Sequence, residues 1–357
     1  MNIGIHGLGV YLPEEVRRND WWPQAIVEEW RRKRELNVMR GKGAEPPRSE
    51  GARLILQELA SLENDVFEGV VERRVMPEGS PSVAMEAKAA EEALARAGIE
   101  PHQIDFLFSY TPCPDVLGVP SACALHRKLG LRRDCLSLVN DSVCNAFAVQ
   151  LKLAQSMIQS GQARFGLLVQ SSNLRKTIAI EDPASAWFGD GATAVVVGPV
   201  SEGYGLLASA HRTDGEYYRA IGYGVPGQPN WYDEGRVVLA PIDRQLCRAM
   251  ALSLADYAQE VLVAALAQAD LQKEEVDFYA SHQATRWLRR VTKDYVGLAN
   301  ARGIDTFSWA GSLAASNVPF QLAIAEREGQ LEHGDVVATF TGGAGSTWAG
   351  MVLRWGR

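Results

Sequence analysis

Cys144 and His282 are the residues of this 357-residue chain whose surroundings could support nucleophilic catalysis. Cys144 stands between an apolar run that reads as a strand, CLSLV (135–139), and an apolar helical stretch, 144–161. A thiol at a helix N-terminus faces unpaired backbone N–H groups and the positive end of the helix dipole, which favours thiolate. Strand–turn–helix placement also follows the logic of a nucleophile elbow. The bland alternative is a cysteine that serves as a small buried hydrophobe. His282 directly follows the strand-like VDFYAS (276–281). That puts it at the carboxyl end of a strand, where α/β folds bind ligands, unless it is a satisfied structural histidine. Two more segments bear on the same chemistry. AGSLAASNVP (310–319) brings small residues into a helix and offers Ser312. TGGAGSTWAG (341–350) is a Gly-rich turn whose backbone N–H groups could hold an oxyanion, although any tight hairpin can contain such a turn.

Composition narrows the classes. Lys and Arg number 36 against 43 Asp and Glu, a net charge of -7, which argues against nucleic acid as the main partner. No run approaches 18 uninterrupted apolar residues, so no membrane span is expected, and the opening MNIGIHGLGVYLP reads as a strand rather than a signal peptide. Five cysteines without CxxC spacing fit neither a disulfide framework nor a zinc site. The expectation is a cytoplasmic chain with reduced thiols, no metal and no cofactor.

The elements that must position these residues alternate. A strand near 3–10 precedes a charged, irregular stretch to about Arg74. Ser82 is expected to cap a helix that stops at Gly98. Strands at 104–110, 135–139, 165–172 and 192–198 follow, separated by helices at 120–130 and 144–161. The continuous apolar character of 165–172 and 192–198 marks strands covered on both faces. After Gly203 the pattern resumes: a strand at 204–211, a loop rich in Gly, Tyr and Pro, one long helix at about 246–269, and the strand before His282. A helix from about Thr285, a helix at 316–328 and strands at 336–341 and 348–355 close the chain. Each half therefore reads as α/β. The boundaries are 1–200 for a half carrying Cys144, with a variable insertion at about 24–68, and 203–357 for a half carrying His282.

Five motifs in order, DSVCNAF, FGDGA (188–192), SHQATRW, GSLAASNVP and TGGAGSTWAG, resemble landmarks of the thiolase superfamily, and of its β-ketoacyl-ACP synthase III branch above all. The resemblance implies a five-layered αβαβα fold built from two similar halves, and a homodimer. It implies Cys144 as the nucleophile that carries an acyl thioester and His282 as the catalytic histidine. The oxyanion hole would be formed by backbone N–H groups of Cys144 and of the turn at Gly343 and Ala344. The donor would be an acyl carrier protein or acyl-CoA, and the acceptor a small molecule or a carrier-bound group.

Two departures shape the functional expectation. Ungapped matching puts Ser312 where the family carries an Asn, with Asn317 five positions on and facing elsewhere. Loss of an oxyanion donor costs about 10²–10³ in rate. Transfer without decarboxylation is therefore expected, His282 acting as base on the acceptor, as in secondary-metabolism relatives that lack the usual triad. Decarboxylative Claisen condensation and a subunit of a hetero-oligomeric condensing enzyme are the alternatives. A protease-type Cys–His hydrolase fits worse, because the local signatures are missing. Second, no Trp lies in the twelve residues before GVVERR (69–74), where CoA-using relatives hold adenine, so a carrier protein is the better donor. Carrier proteins are acidic. The 30–48 stretch holds seven Lys/Arg against two Glu, beginning at Arg31 and Arg32. Together with Arg286, Arg289, Arg290 and Lys293 beyond His282, it could steer one in, if these are not simply solvated faces.

Overall fold

The computed structural model describes residues 2–35 and 47–357. In chain order the first half runs β1 (Asn2–Tyr11), β2 (Glu15–Arg18), α1 (Gln24–Glu35), α2 (Glu50–Ser61), β3 (Glu72–Val75), α3 (Ser82–Ala97), β4 (Phe106–Tyr110), α4 (Ser121–Leu129), β5 (Leu136–Val139), α5 (Ala146–Gln159), β6 (Gly166–Ser172) and β7 (Gly191–Val200). The second half runs β8 (Gly205–Thr213), β9 (Ile221–Gly224), β10 (Val238–Pro241), α6 (Arg244–Leu252), α7 (Leu254–Gln268), β11 (Phe278–Ser281), α8 (Leu288–Val296), α9 (Phe307–Ala310), α10 (Asn317–Arg327), β12 (Val336–Gly343) and β13 (Thr347–Arg354).

Two sheets carry the architecture. One has strand order β1-β7-β6-β4-β5, the other β11-β12-β13-β8. Their pairing senses match. β1, β7 and β6 pair antiparallel in turn and β6 with β4 parallel; β8, β13 and β12 pair antiparallel and β12 with β11 parallel. The repeat invisible in sequence is thus present in topology, with β5 an extra edge strand in the first sheet.

Strand alternation explains the layering. Phe106 and Phe108 point into one core and Leu107 into another; Leu168, Val195 and Val197 alternate in the same way with Leu167, Val169 and Val196. The inner core joins both sheets through α5 (Phe147, Leu151, Ile158) and α10 (Val318, Leu322, Ala323). Outer cores lie under α3 and α4 on one side and under α7 on the other. The result is the expected five-layered αβαβα arrangement, with α5 and α10 between the sheets. Burying Phe147 and Leu151 contributes about 1.5–3 kcal/mol each and fixes where the first turn of α5 points.

Several local expectations change. The stretch before Arg74 contains α1, α2 and the antiparallel β2–β3 pair that brackets them, because Trp22, Val27, Trp30 and Val66 form a small core of their own beneath the charged surface. Ser82 does not cap α3: the N-cap is Pro81, and the Ser82 hydroxyl bonds Cys113 O at 3.0 Å instead. Gly98 does stop that helix, at φ 65°. The single long helix after 245 is two helices bent by 45° at Ser253, whose hydroxyl bonds back to Met250 O. Among the described residues no single helix is long and apolar enough to cross a membrane.

Candidate active site

Cys144 sits at the tip of a turn forced by its neighbours. Val143 adopts φ 51°, a left-handed conformation that costs a β-branched residue about 1–3 kcal/mol, and a short 3₁₀ turn then leads into α5. Such strain persists only where surrounding contacts over-determine it. Asn145 supplies them: its amide donates to Thr347 Oγ1 at 3.2 Å and accepts from the Thr341 hydroxyl, tying the elbow to the β12–β13 hairpin. The hairpin comes so close that a Cβ on Gly343 would lie 2.5 Å from Ser142 O and 3.3 Å from Asn145 N. The turn around Gly343 and Ala344 therefore abuts the Cys144 elbow. Ser346, in the same turn, is another residue at positive φ.

The thiol itself is half-buried against Leu174, Ile178, Ala314, Phe188 and Leu239. Burial pushes its pKa up to about 12, opposed only by a backbone hydrogen bond at Cys144 itself. This corrects the expectation that the helix N-terminus favours thiolate. Desolvation by the apolar wall opposes it, and at that pKa Cys144 is a neutral thiol at pH 7.

His282 leaves β11 with its N–H donating to Phe340 O at 2.7 Å, and it is buried. Burial holds its pKa down to about 4, with the Ala314 carbonyl pulling the other way, so the imidazole is neutral at pH 7. Ser312 is held by a backbone bond to Trp187 O and a bridge to Phe188, and the FGDGA loop returns a bond from Gly189 N. Gly311, at φ 67°, permits this contact: a Cβ there would lie 2.8 Å from Trp187 O. Asp190 of the same motif accepts from Met76 N and Arg175 and is structural. Gln283 likewise spends its amide on Ile304, Thr306 and Phe307.

Asn317 does not face elsewhere. Between Ser312 and Asn317 the chain turns through a 3₁₀ segment with Ala314 at φ 49°, which brings residue 317 back beside residue 312. As first residue of α10, its side chain leans toward the helix N-terminus. Its Oδ1 accepts from Leu313 N at 2.9 Å, while Nδ2 lies 2.9 Å from His282 Nδ1 and 3.1 Å from Ser312 Oγ. Leu313 N–H can only donate, which fixes the amide orientation. The Asn317 nitrogen has hydrogens to give and no lone pair to share, so His282 Nδ1 is the acceptor. In a neutral ring the proton is then on Nε2.

Two segments of the chain match known family descriptions. Residues 140–215 match 3-oxoacyl-[acyl-carrier-protein (ACP)] synthase III, and residues 266–355 match the C-terminal part of that family. The chain is ketoacyl synthase III-like, of the thiolase superfamily. Both matched segments include a proposed catalytic residue, Cys144 in one and His282 in the other. Similar solved structures include the 3-oxoacyl-(acyl carrier protein) synthase III FabH of Pseudomonas aeruginosa PAO1, at 24% identity over 100% of this chain and 99% of that one, TM-score 0.79. The enzyme of Thermus thermophilus is 25% identical over 99% of both chains, TM-score 0.77. OleA of Xanthomonas campestris, solved with bound lauric acid and lauroyl-CoA, is 20% identical over 99% of both, TM-score 0.76. The family is one of condensing enzymes.

The basic residues assigned to carrier docking are not equivalent. Arg32 pairs with Glu29, Arg289 with Asp305 and Arg290 with Glu58. Arg286 is exposed, its methylenes laid on Gly69, and carries no ion pair among the described residues. Arg31 is also exposed and lines a groove of about 410 Å³ with Trp21, Trp22 and Phe67. Lys33 and Arg34 pair with Glu29 and Glu68, and residues 36–46 of the basic stretch lie outside the described residues.

Proposed function

We propose that this chain is an acyltransferase that loads an acyl group onto Cys144 from an acyl-carrier or acyl-CoA thioester and passes it on from there. The observation that carries this reading is the strained elbow at Val143–Cys144 pressed against the Gly343 turn. In the loading step the Cys144 sulfur attacks the thioester carbonyl, the carrier thiol leaves, and the proton of the Cys144 thiol ends on that leaving sulfur. Backbone N–H groups of Cys144 and Ala344 would hold the oxyanion.

For the second step, Asn317 changes the weighting. Transfer to a hydroxyl or amine needs a base, and the hydrogen bond from Asn317 to His282 Nδ1 leaves Nε2 protonated. A donor at Nε2 instead suits an enolate. A β-carboxyacyl thioester would lose carbon dioxide, its bonding pair passing to an enolate oxygen held by His282. The enolate carbon would attack the Cys144 thioester, and the expelled thiolate would take up a proton. Condensation is therefore the better-supported course. Transfer without decarboxylation remains the second reading, favoured by Ser312, whose side chain is shorter than the Asn it replaces.

Native and denaturing mass spectrometry after incubation with a panel of acyl-carrier and acyl-CoA donors tests both steps. Expected are an acyl adduct lost in Cys144→Ala, a subunit count of two, and, with a malonyl-type partner, carbon dioxide plus a β-ketoacyl product. An adduct that persists in Cys144→Ala would sink the reading. An adduct without carbon dioxide would return the choice to simple transfer.

A further inference from the structure

Both N–H groups of the Asn317 carboxamide are committed. Its oxygen takes the Leu313 N–H, and its two hydrogens go to His282 Nδ1 and Ser312 Oγ. All three side chains are buried: Asn317 at 1%, Ser312 at 0% and His282 at 6% exposure. Ser312 Oγ also receives the Ala314 N–H at 3.4 Å, so its two lone pairs are engaged and its own hydrogen is left to donate. Both neighbours of Asn317 are thus turned into donors by one amide.

We propose that Asn317 is a positioning residue that sets His282 in its Nε2–H form and orients the Ser312 hydroxyl, so that the pair forms a two-donor site for the acceptor's thioester oxygen. Asn317 acts through its neighbours and does not itself reach the reacting atoms. The inference rests on the acyl-transfer reading for its catalytic consequence, while the tautomer can be read without turnover. A group that merely filled space would fix neither a tautomer nor a hydroxyl rotor. The ligand class is a thioester whose carbonyl gains negative charge, which accepts two hydrogen bonds and offers none.

Nitrogen NMR of the full-length protein with ¹⁵N-labelled histidine, of which it has six, tests this directly. His282, assigned by its loss in His282→Gln, should show a protonated Nε2 and an unprotonated Nδ1. Asn317→Asp places an acceptor where the amide donated, so the proton should move to Nδ1. Asn317→Ala should leave a mixture of tautomers. In kinetics, Asn317→Ala should lower the transfer step about a hundredfold, and loading of Cys144 less than that. A protonated Nδ1 in the unsubstituted protein would overturn the proposal, and that reading needs only His282→Gln, for assignment, and no substitution at Asn317. So would Asn317→Asp and Asn317→Ala spectra identical to the original. Failure of Cys144 to load with the predicted tautomer present would instead count against the acyl-transfer reading.

Discussion

At the scale of single residues, the chemistry turns on which protons are where. Cys144 is neutral because its sulfur is walled by Leu174, Ile178 and Leu239, and His282 is neutral because it is buried with no carboxylate partner among the described residues. Neither is a preformed ion pair of the kind that activates a protease cysteine. The proton of Cys144 leaves only when a thioester is in place to take the sulfur's electrons. With a pKa near 12, against an ordinary thiol near 8.5, the thiolate fraction at pH 8 is smaller by a factor on the order of 10³. Iodoacetamide should therefore label exposed Cys123 well before Cys144 at pH 8, and the Cys144 rate should climb about tenfold per pH unit up to pH 10. Peptide mass spectrometry of a time course would read this; preferential labelling of Cys144 at pH 7 would mean that the helix N-terminus wins over burial. Cys144 and His282 were legible in the sequence because each adjoins an element whose type is plain from its apolar run. Asn317 was not, because its place was counted along the chain. Its true neighbour is set by a left-handed Ala314, and an alanine gives no sign of positive φ.

At the scale of elements, the site is a meeting of three turns. The elbow before α5, the β12–β13 turn and the 3₁₀ segment before α10 each hold a non-glycine residue in the left-handed region: Val143, Ser346 and Ala314. Three such residues in three turns mean that packing between elements, not local preference, sets these turns. Sequence patterning therefore recovered the strands and helices and missed the turns' geometry. It also missed the Ser253 bend, where a hydroxyl bonds back to Met250 O inside an otherwise continuous apolar pattern. Hairpin and elbow meet backbone to backbone at Gly343. A methyl group there would meet Ser142 O at 2.5 Å, and both partners are backbone, so the elbow must move. Gly343→Ala should cost about 1–3 kcal/mol of stability, the usual range for overpacking. It should also slow loading of Cys144 by about 10²–10³, as expected when an oxyanion donor is displaced. Gly215→Ala, where nothing lies within 4 Å, serves as the control. Denaturant melts and single-turnover loading would measure both, and normal loading by Gly343→Ala would show that the turn is no part of the oxyanion site.

At the scale of the whole molecule, the duplication puts α5 and α10 back to back in one layer, so the two helix starts, with Cys144 and Asn317, open on the same ground between the sheets. The sequence suggested two like halves but could not show this, because the repeat is carried by strand order rather than by residues. Charge behaves similarly. A count of arginines after His282 suggests a docking patch, yet Arg289 and Arg290 are committed to Asp305 and Glu58, which leaves Arg286 as the one of the three without an ion pair among the described residues. In a protein of net charge -7, an acidic carrier is repelled overall and must be drawn in locally. Such local steering fades as the screening length falls from about 10 Å at 0.1 M salt to about 3 Å at 1 M. Arg286→Glu should therefore lower kcat/KM for loading from an acyl carrier protein about tenfold at low salt, with the gap closing as salt rises. Loading from a small acyl thioester should be the same within about twofold at every salt concentration, since it has no acidic surface to steer. If both donors lose rate equally, Arg286 acts on the site rather than on docking; if neither does, the carrier approaches over another face.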